Sequence, residues 1–260
     1  MINFKDIKGN YHTHSRWCKH GCGEIEEYIH RAIDTGLEEL AITEHVPHEH
    51  SFSFITMDEF YEFDRKLNNA IDRYGDQIKI LKGFECEYFN EELDLYKKLS
   101  TDYGYEFLIL GQHLSGENHM YDQFKPKGIE ALYSYTQEVI AGIESGMFKI
   151  LAHPDLLIGY YEPGFDKHVE KCLNDIYQCA SENNIVCEIN CGGIRTNRGY
   201  PSKEGFLLSK KYNLSYIIGA DAHDPRSIMG QSMQKAVDFA NDCGLQIMNK
   251  WKEKEERKND

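Results

Sequence analysis

One pattern constrains the fold of this 260-residue chain more than any other: a short apolar run followed by an amphipathic stretch, seven times over. The runs lie around 8–14, 39–44, 77–85, 106–112, 148–152, 185–190 and 215–220. Helical patterns follow near 23–36, 56–74, 91–101, 128–145, 166–183, 202–212 and 226–243. Gly36, Gly75, Gly146 and Gly244 fall where helix C-caps belong. Strand and helix in such regular alternation imply a parallel sheet covered by helices. Seven units with no second compositional block favour a distorted (β/α)7 TIM-like barrel over an open, doubly wound sheet. No linker rich in Pro, Gly or Ser divides the chain, so residues 1–260 are expected to form one domain, with a mixed-charge tail at about 251–260.

Parallel barrels place their chemistry at the C-terminal ends of the strands. The seven ends predicted here read Tyr11-His12-Thr13-His14, Thr43-Glu44-His45, Gly83-Phe84-Glu85, Gly111-Gln112-His113, Ala152-His153-Pro154-Asp155, Glu188-Ile189-Asn190 and Gly219-Ala220-Asp221-Ala222-His223. Five of the seven carry histidine and a sixth carries Glu85, a concentration that scattered structural histidines do not explain. In His12-x-His14 the period of two turns both imidazoles to one face of an extended strand, as two ligands of one ion require. Asp221-x-His223 repeats that spacing on the last strand, which barrel closure brings beside the first.

Imidazole mixed with carboxylate suits Zn²⁺, Mn²⁺ or Fe²⁺ better than the oxygen-seeking Ca²⁺ or Mg²⁺. His12, His14, His20, His45, His113, His153, His223, Glu85 and Asp221 are too many ligands for one ion, so two or three ions are implied. Glu85 is the expected bridging carboxylate, because the third strand lies between the first and the fifth.

Composition excludes several other functions. There are 43 acidic against 29 basic residues, a formal net charge of −14. With no clustered basic surface, nucleic acid is not an expected partner. The N-terminus lacks an apolar signal core and no run approaches membrane-spanning length, so a cytoplasmic location without membrane association is expected. Eight cysteines are spread without a C-x-x-C pair. Cys18/Cys22 and Cys187/Cys191 are read as reduced, partly buried thiols rather than as a zinc ribbon.

The set His12-x-His14, His20, Ile42-Thr43-Glu44-His45, Glu85, His113, His153-Pro154-Asp155 and Gly219-Ala220-Asp221-Ala222-His223 resembles the PHP (polymerase and histidinol phosphatase) superfamily, from residue 11 to about 230. Cys18-Lys19-His20-Gly21, and Glu188-Ile189-Asn190 followed by Gly192-Gly193-Ile194-Arg195, look like its histidinol-phosphatase branch. The resemblance implies three divalent metal ions (Zn, Mn or Fe). His12, His14, Glu85 and Asp221 would hold the first; Glu85, His113 and His153 the second; His20, His45 and His223 the third. Two departures stand out: Glu44 where many relatives have Asp, and an acidic, aromatic loop at 156–165.

The implied reaction is hydrolysis of a small phosphate monoester, most directly L-histidinol phosphate in histidine biosynthesis. Bound cations would reverse the local sign of a −14 chain and lower the pKa of an attacking water. Arg195 is the expected phosphate clamp and Arg16 a second candidate, with Arg198 behind them. Asp221 or His223 is the expected proton donor to the leaving group, and Glu117 is a candidate acid for a cationic substrate amine. His48, His50 and His119 fall in loops on the same face and are assigned no role. The alternatives are another small phosphate ester, a phosphotyrosyl peptide or nucleotide among them, or a non-catalytic metal-binding domain. An amidohydrolase-type barrel ranks below these because no lysine occupies a strand end.

Overall fold

A computed structural model describes residues 1–47 and 55–251. His48, His50 and the tail beyond Trp251 lie outside the described residues. Seven strands form one sheet: β1 (Gly9–Asn10), β2 (Glu39–His45), β3 (Lys79–Cys86), β4 (Phe107–Leu110), β5 (Ile150–Leu151), β6 (Val186–Asn190) and β7 (Ser215–Gly219). Each pairs in parallel with the next in sequence, so spatial order follows chain order.

The crossovers contain α1 (Ile25–Asp34), α2 (Met57–Tyr74), α3 (Leu93–Tyr103), α4 (Ile129–Glu144), α5 (Lys167–Glu182), α6 (Cys191–Thr196) and α7 (Lys203–Ser209), and α8 (Gln231–Cys243) follows β7. Local chemistry accounts for their starts. Thr56 and Glu59 form a capping box on α2, and the Asp166 carboxylate accepts the His168 and Val169 amides at the head of α5. In α5, Val169, Cys172, Leu173, Ile176, Tyr177 and Ala180 recur at helical spacing and are all buried in the main apolar core. No helix among the described residues is long and apolar enough to cross a membrane.

The expected strand at 8–14 is paired with β2 only over Gly9–Asn10. Beyond it the chain turns to close the barrel. Thr13 bridges Ala222 in parallel, the His14 amide donates to Ala222 O at 2.8 Å, and Asn10 Oδ1 accepts the Ala220 amide at 2.8 Å. At the other end of this seam the C-terminal segment fills the gap: Ile247 bridges Tyr216, while the Lys8 and Gly9 amides donate to Asn249 O. The barrel is thus nearly closed by seven strands and one short insert. Its interior floor is a separate apolar layer in which Tyr11, Ala41, Phe107, Ile109, Ile150, Ala152, Val186 and Ile217 meet, with Met248 and Trp251 packed beneath.

Two helical elements also depart from the pattern read in the sequence. The six-residue α6 lies where a loop was expected, started by Asn190 Oδ1 accepting the Gly193 amide at 2.9 Å. The last helix begins at Gln231 rather than 226, because Pro225–Ser227 forms a separate 3-10 turn capped by Asp224.

Candidate metal centre

Parallel register carries the strand-end residues to one mouth of the barrel. Glu85, next to last in β3, lies in the middle of the group and is 3% exposed. Five imidazoles surround its carboxylate: His153 Nε2 at 3.1 Å, His45 Nδ1 at 3.2 Å, His12 Nε2 and His14 Nε2 each at 3.3 Å, and His113 Nε2 at 3.7 Å. Asp221 Oδ1 is the second focus, 3.4 Å from His223 Nδ1, 3.6 Å from His14 Nε2 and 3.8 Å from His12 Nε2. His20 reaches in from the loop after His14, and its Nε2 meets His223 Nε2 at 2.9 Å. All nine residues expected as ligands therefore lie in one cluster.

Small residues make room for the carboxylates. A Cβ on Gly111 would collide with the Glu85 carboxylate, and one on Gly192 with that of Asp221. His153 and Asp221 adopt left-handed backbone conformations, φ +31° and +43°, which non-glycine residues keep only where the surrounding structure holds them.

Buried acids behind the cluster orient its histidines. Glu188 Oε1 lies 2.7 Å from His12 Nδ1, and its Oε2 accepts the His153 amide at 3.1 Å and Asn190 Nδ2 at 2.8 Å. Glu87 does the same for His113, with Oε1 2.8 Å from Nδ1 and Oε2 accepting the His113 amide at 2.7 Å. Buried Glu44 accepts the Ser15 amide at 2.7 Å and hydroxyl at 2.5 Å, tying down the loop that carries His20. Carboxylates on the outer nitrogen of an imidazole direct its other nitrogen inward, as metal-ligating histidines require. The sequence points to no role for Glu87, and to Glu188 only as a strand end and part of the branch resemblance. Their signal was the same period of two, in Glu85-x-Glu87 and Glu188-x-Asn190.

The charge states suit cations. Against the cost of burial, His12 and His113 hold the Glu85 carboxyl well below its ordinary range, and Asp221 is lowered likewise by His12 and His223. Burial and neighbouring His223 push His14 down to about 3, and burial with His14 lowers His45, so both rings are neutral at pH 7. Burial opposes charge on His12 and His113, but Glu188 and Glu85 hold His12 up and Glu85 and Glu87 raise His113 to about 9, so a cation bound there would take the place of the proton on each ring. Both nitrogens of His14 and Nε2 of His12 are buried without a hydrogen-bond partner. Inward-facing imidazole nitrogens left unpaired beside two ionised carboxylates form a donor set that fits divalent ions. His12, His14 and Asp221 present donor atoms within 4.8 Å of one another, as do Glu85, His113 and His153, and His14, His45 and His223.

A cavity of about 620 Å³ opens above the cluster. Its lining includes Arg195, Thr196, Arg198 and Tyr200, Leu114 and Asp122 from a two-stranded ribbon (Leu114–Ser115 with Tyr121–Asp122), and Phe124 just beyond that ribbon. Arg195 donates to Ala220 O at 2.8 Å and Asp221 O at 2.5 Å, and Arg198 lies 4.6 Å over the Phe124 ring. Two expected substrate contacts are not brought here. Arg16 pairs with Glu24 and lies over the Trp17 ring outside the cavity, because its own loop offers both partners. Glu117 is exposed at the start of a 3-10 turn and is not among the residues lining the cavity, where the ribbon presents Asp122 instead. His119 packs on Phe89, also off the cavity wall.

Fold and site together define a parallel α/β barrel with a histidine-carboxylate cluster, able to hold metal ions, at its C-terminal mouth. The chain belongs to the PHP domain family, whose model matches residues 10–192. Among its relatives, a probable histidinol-phosphatase of Schizosaccharomyces pombe is 25% identical over 267 residues, covering 90% of this chain and 86% of the relative. The histidinol-phosphatase of Bacillus subtilis is 22% identical and covers 83% and 93%. A crystal structure of histidinol phosphate phosphatase from Lactococcus lactis, complexed with zinc, L-histidinol and phosphate, superposes with a TM-score of 0.73. It is 18% identical, covers 93% of this chain and 95% of that one, and establishes the shared fold.

Proposed function

We propose that this chain is a metal-dependent phosphomonoesterase that hydrolyses L-histidinol phosphate to L-histidinol and phosphate. The observation that carries this reading is Glu85, ringed by five imidazoles directly beneath a cavity with two arginines on its wall. Relatives named as histidinol-phosphatases, matched over most of both chains, support the substrate.

Three divalent ions are proposed, zinc, manganese or iron, in the three ligand sets that the resemblance implies: His12, His14, Glu85 and Asp221; Glu85, His113 and His153; His20, His45 and His223. When bound, they supply concentrated positive charge for the phosphate oxygens and lower the pKa of an attacking water. The chain's residues do the remaining work. Glu85 and Asp221 contribute the anionic oxygens that two ligand sets need. Arg195 holds the β7 end by two carbonyls and presents the rest of its guanidinium to the cavity, where it binds a phosphate oxygen. Arg198, kept over Phe124, adds a second positive charge. Asp122 faces the same space and suits the ammonium or imidazole end of the substrate. His223 Nδ1, 3.1 Å from Asp221 O, leaves Nε2 to the third ion; with His223 and the ionised Asp221 both taken as ligands, the leaving alkoxide takes its proton from solvent.

The test is phosphate release by metal-loaded protein from L-histidinol phosphate, p-nitrophenyl phosphate, a phosphotyrosyl peptide and nucleoside monophosphates. The expected result is a kcat/KM for L-histidinol phosphate about 10²-fold or more above the others, as a site with polar groups matched to one substrate gives. Equal rates across the panel would restrict the reading to a general phosphatase, and no release at full metal content would leave a metal-binding domain without this activity.

A further inference from the structure

The third ligand set holds an additional donor. Cys18 Sγ, His20 and His223 present donor atoms within 4.8 Å of one another, whereas His45 groups instead with His14 and His223. Cys18 is fully buried, at the end of the 3-10 turn Arg16–Cys18, and Lys19 follows in a left-handed conformation, φ +66°. That turn wraps the chain around the sulfur: Sγ lies 3.1 Å from Ser15 O and accepts the Gly21 amide at 3.1 Å. A Cβ at position 21 would sit 2.7 Å from Ser15 O and 3.0 Å from Sγ, so the close approach depends on glycine there. The two facing Nε2 atoms of His20 and His223 converge on the same space, 2.9 Å apart.

We propose that Cys18 is a thiolate ligand of the third ion, alongside His20 and His223, and that it makes this site selective for a thiophilic cation. The proposal rests on the reading of a three-ion centre given above. On binding, the S–H bond breaks, a metal–sulfur bond forms and the proton passes to solvent as Ser15 O gives up its hydrogen bond. The metal is not reduced or oxidised. Sulfur with two imidazoles favours Zn²⁺ over Mn²⁺, while the sets built from histidine and carboxylate alone accept either.

The full chain, stripped of metal and reloaded with Co²⁺, is expected to show a sulfur-to-cobalt charge-transfer band in the near ultraviolet that is lost in C18S and kept in C22S. Zinc X-ray absorption on the unmodified protein is expected to show about one sulfur per three ions, a measurement that needs no variant. In C18S, retention of one zinc equivalent is expected to weaken by about tenfold or more relative to the other two. Three bound ions with only nitrogen and oxygen neighbours would overturn the Cys18 assignment and leave the three-ion reading intact. Fewer than three ions with no sulfur neighbour would overturn both.

Discussion

His12 and Glu188 meet through Nδ1 and Oε1 at 2.7 Å, and each is only 1% exposed. This contact fixes which nitrogen of His12 points at Glu85 and Asp221. Because Glu188 Oε2 also accepts the His153 amide, one carboxylate aligns the residues that follow β1 and β5 together.

Glu188→Gln should therefore weaken metal binding without dissolving the barrel. An amide keeps the size of the side chain but cannot accept through both of its terminal atoms, so one of the two ligands loses its support. We expect metal affinity lower by about 10- to 100-fold, measured by competition with a chelator, with the far-UV spectrum unchanged. Unaltered affinity would show that Glu188 does not orient His12.

Arg195 is the expected phosphate contact, and its two carbonyl bonds also hold the Ala220–Asp221 backbone. Arg195→Ala should lower kcat/KM by about 10²-fold, the usual effect of removing one preorganised donor at a developing charge. Arg195→Lys should recover only part of this, since a lysine cannot bond both carbonyls and a phosphate oxygen through a planar fork. Steady-state kinetics on L-histidinol phosphate separate the two variants. Arg16→Ala, outside the cavity, should leave kcat/KM within a few fold.

The floor of the barrel bears on stability rather than on the site. Phe107, 4% exposed, stacks on Tyr11 at 5.3 Å and meets Trp251 edge-on at 5.1 Å. Phe107→Ala should cost about 3–5 kcal/mol, read as a shift in a denaturant midpoint, while metal content at low temperature stays at the wild-type level. Loss of metal in the folded variant would mean that floor and mouth are coupled.

Glu138, on α4, is pushed up to about 7 by burial, although its carboxylate accepts the Gly116 amide at 2.8 Å and Gln112 Nε2 at 2.9 Å. A carboxyl with a folded pKa above its unfolded one binds more protons in the native state, so its contribution to stability falls as pH rises from about 4.5 to about 7. Glu138→Gln carries no such titration. Across that window the variant should gain stability relative to wild type as pH rises, measured by urea unfolding at a series of pH values. A constant difference between the two proteins would contradict the assignment.

Much of this was legible in the sequence for a physical reason. A metal ligand on a barrel strand must follow an apolar run and keep a period of two, and His12-x-His14 and Asp221-x-His223 show both features. The acids behind these ligands obey the same period, but an acid buried behind a ligand resembles any strand acid until its partner is known. Glu188 was therefore visible as a strand end and as part of the branch resemblance but not as the partner of His12, and Glu87 was not visible at all. The short pairing of β1 depends on Asn10 and Thr13 turning to bond with Ala220 and Ala222, more than two hundred residues away. Helix α6 contains Gly192 and Gly193, which carry no helical propensity, and it exists because Asn190 caps it and Cys191 through Gly193 are buried. Arg16 and Glu117 were placed by proximity in sequence. A loop's own partners decide where its charges go, and Glu24 with Trp17 holds Arg16 outside.

The central claim is that the residues around Glu85 and Asp221 hold the ions that hydrolyse the phosphate ester. The most direct test is elemental analysis and phosphate release measured on the same samples of wild type and a His12→Ala, His14→Ala double variant. We expect wild type to bind three ions per chain and release phosphate from L-histidinol phosphate, and the folded double variant to lose at least one ion and nearly all turnover. A double variant that keeps full metal content and activity would contradict the account.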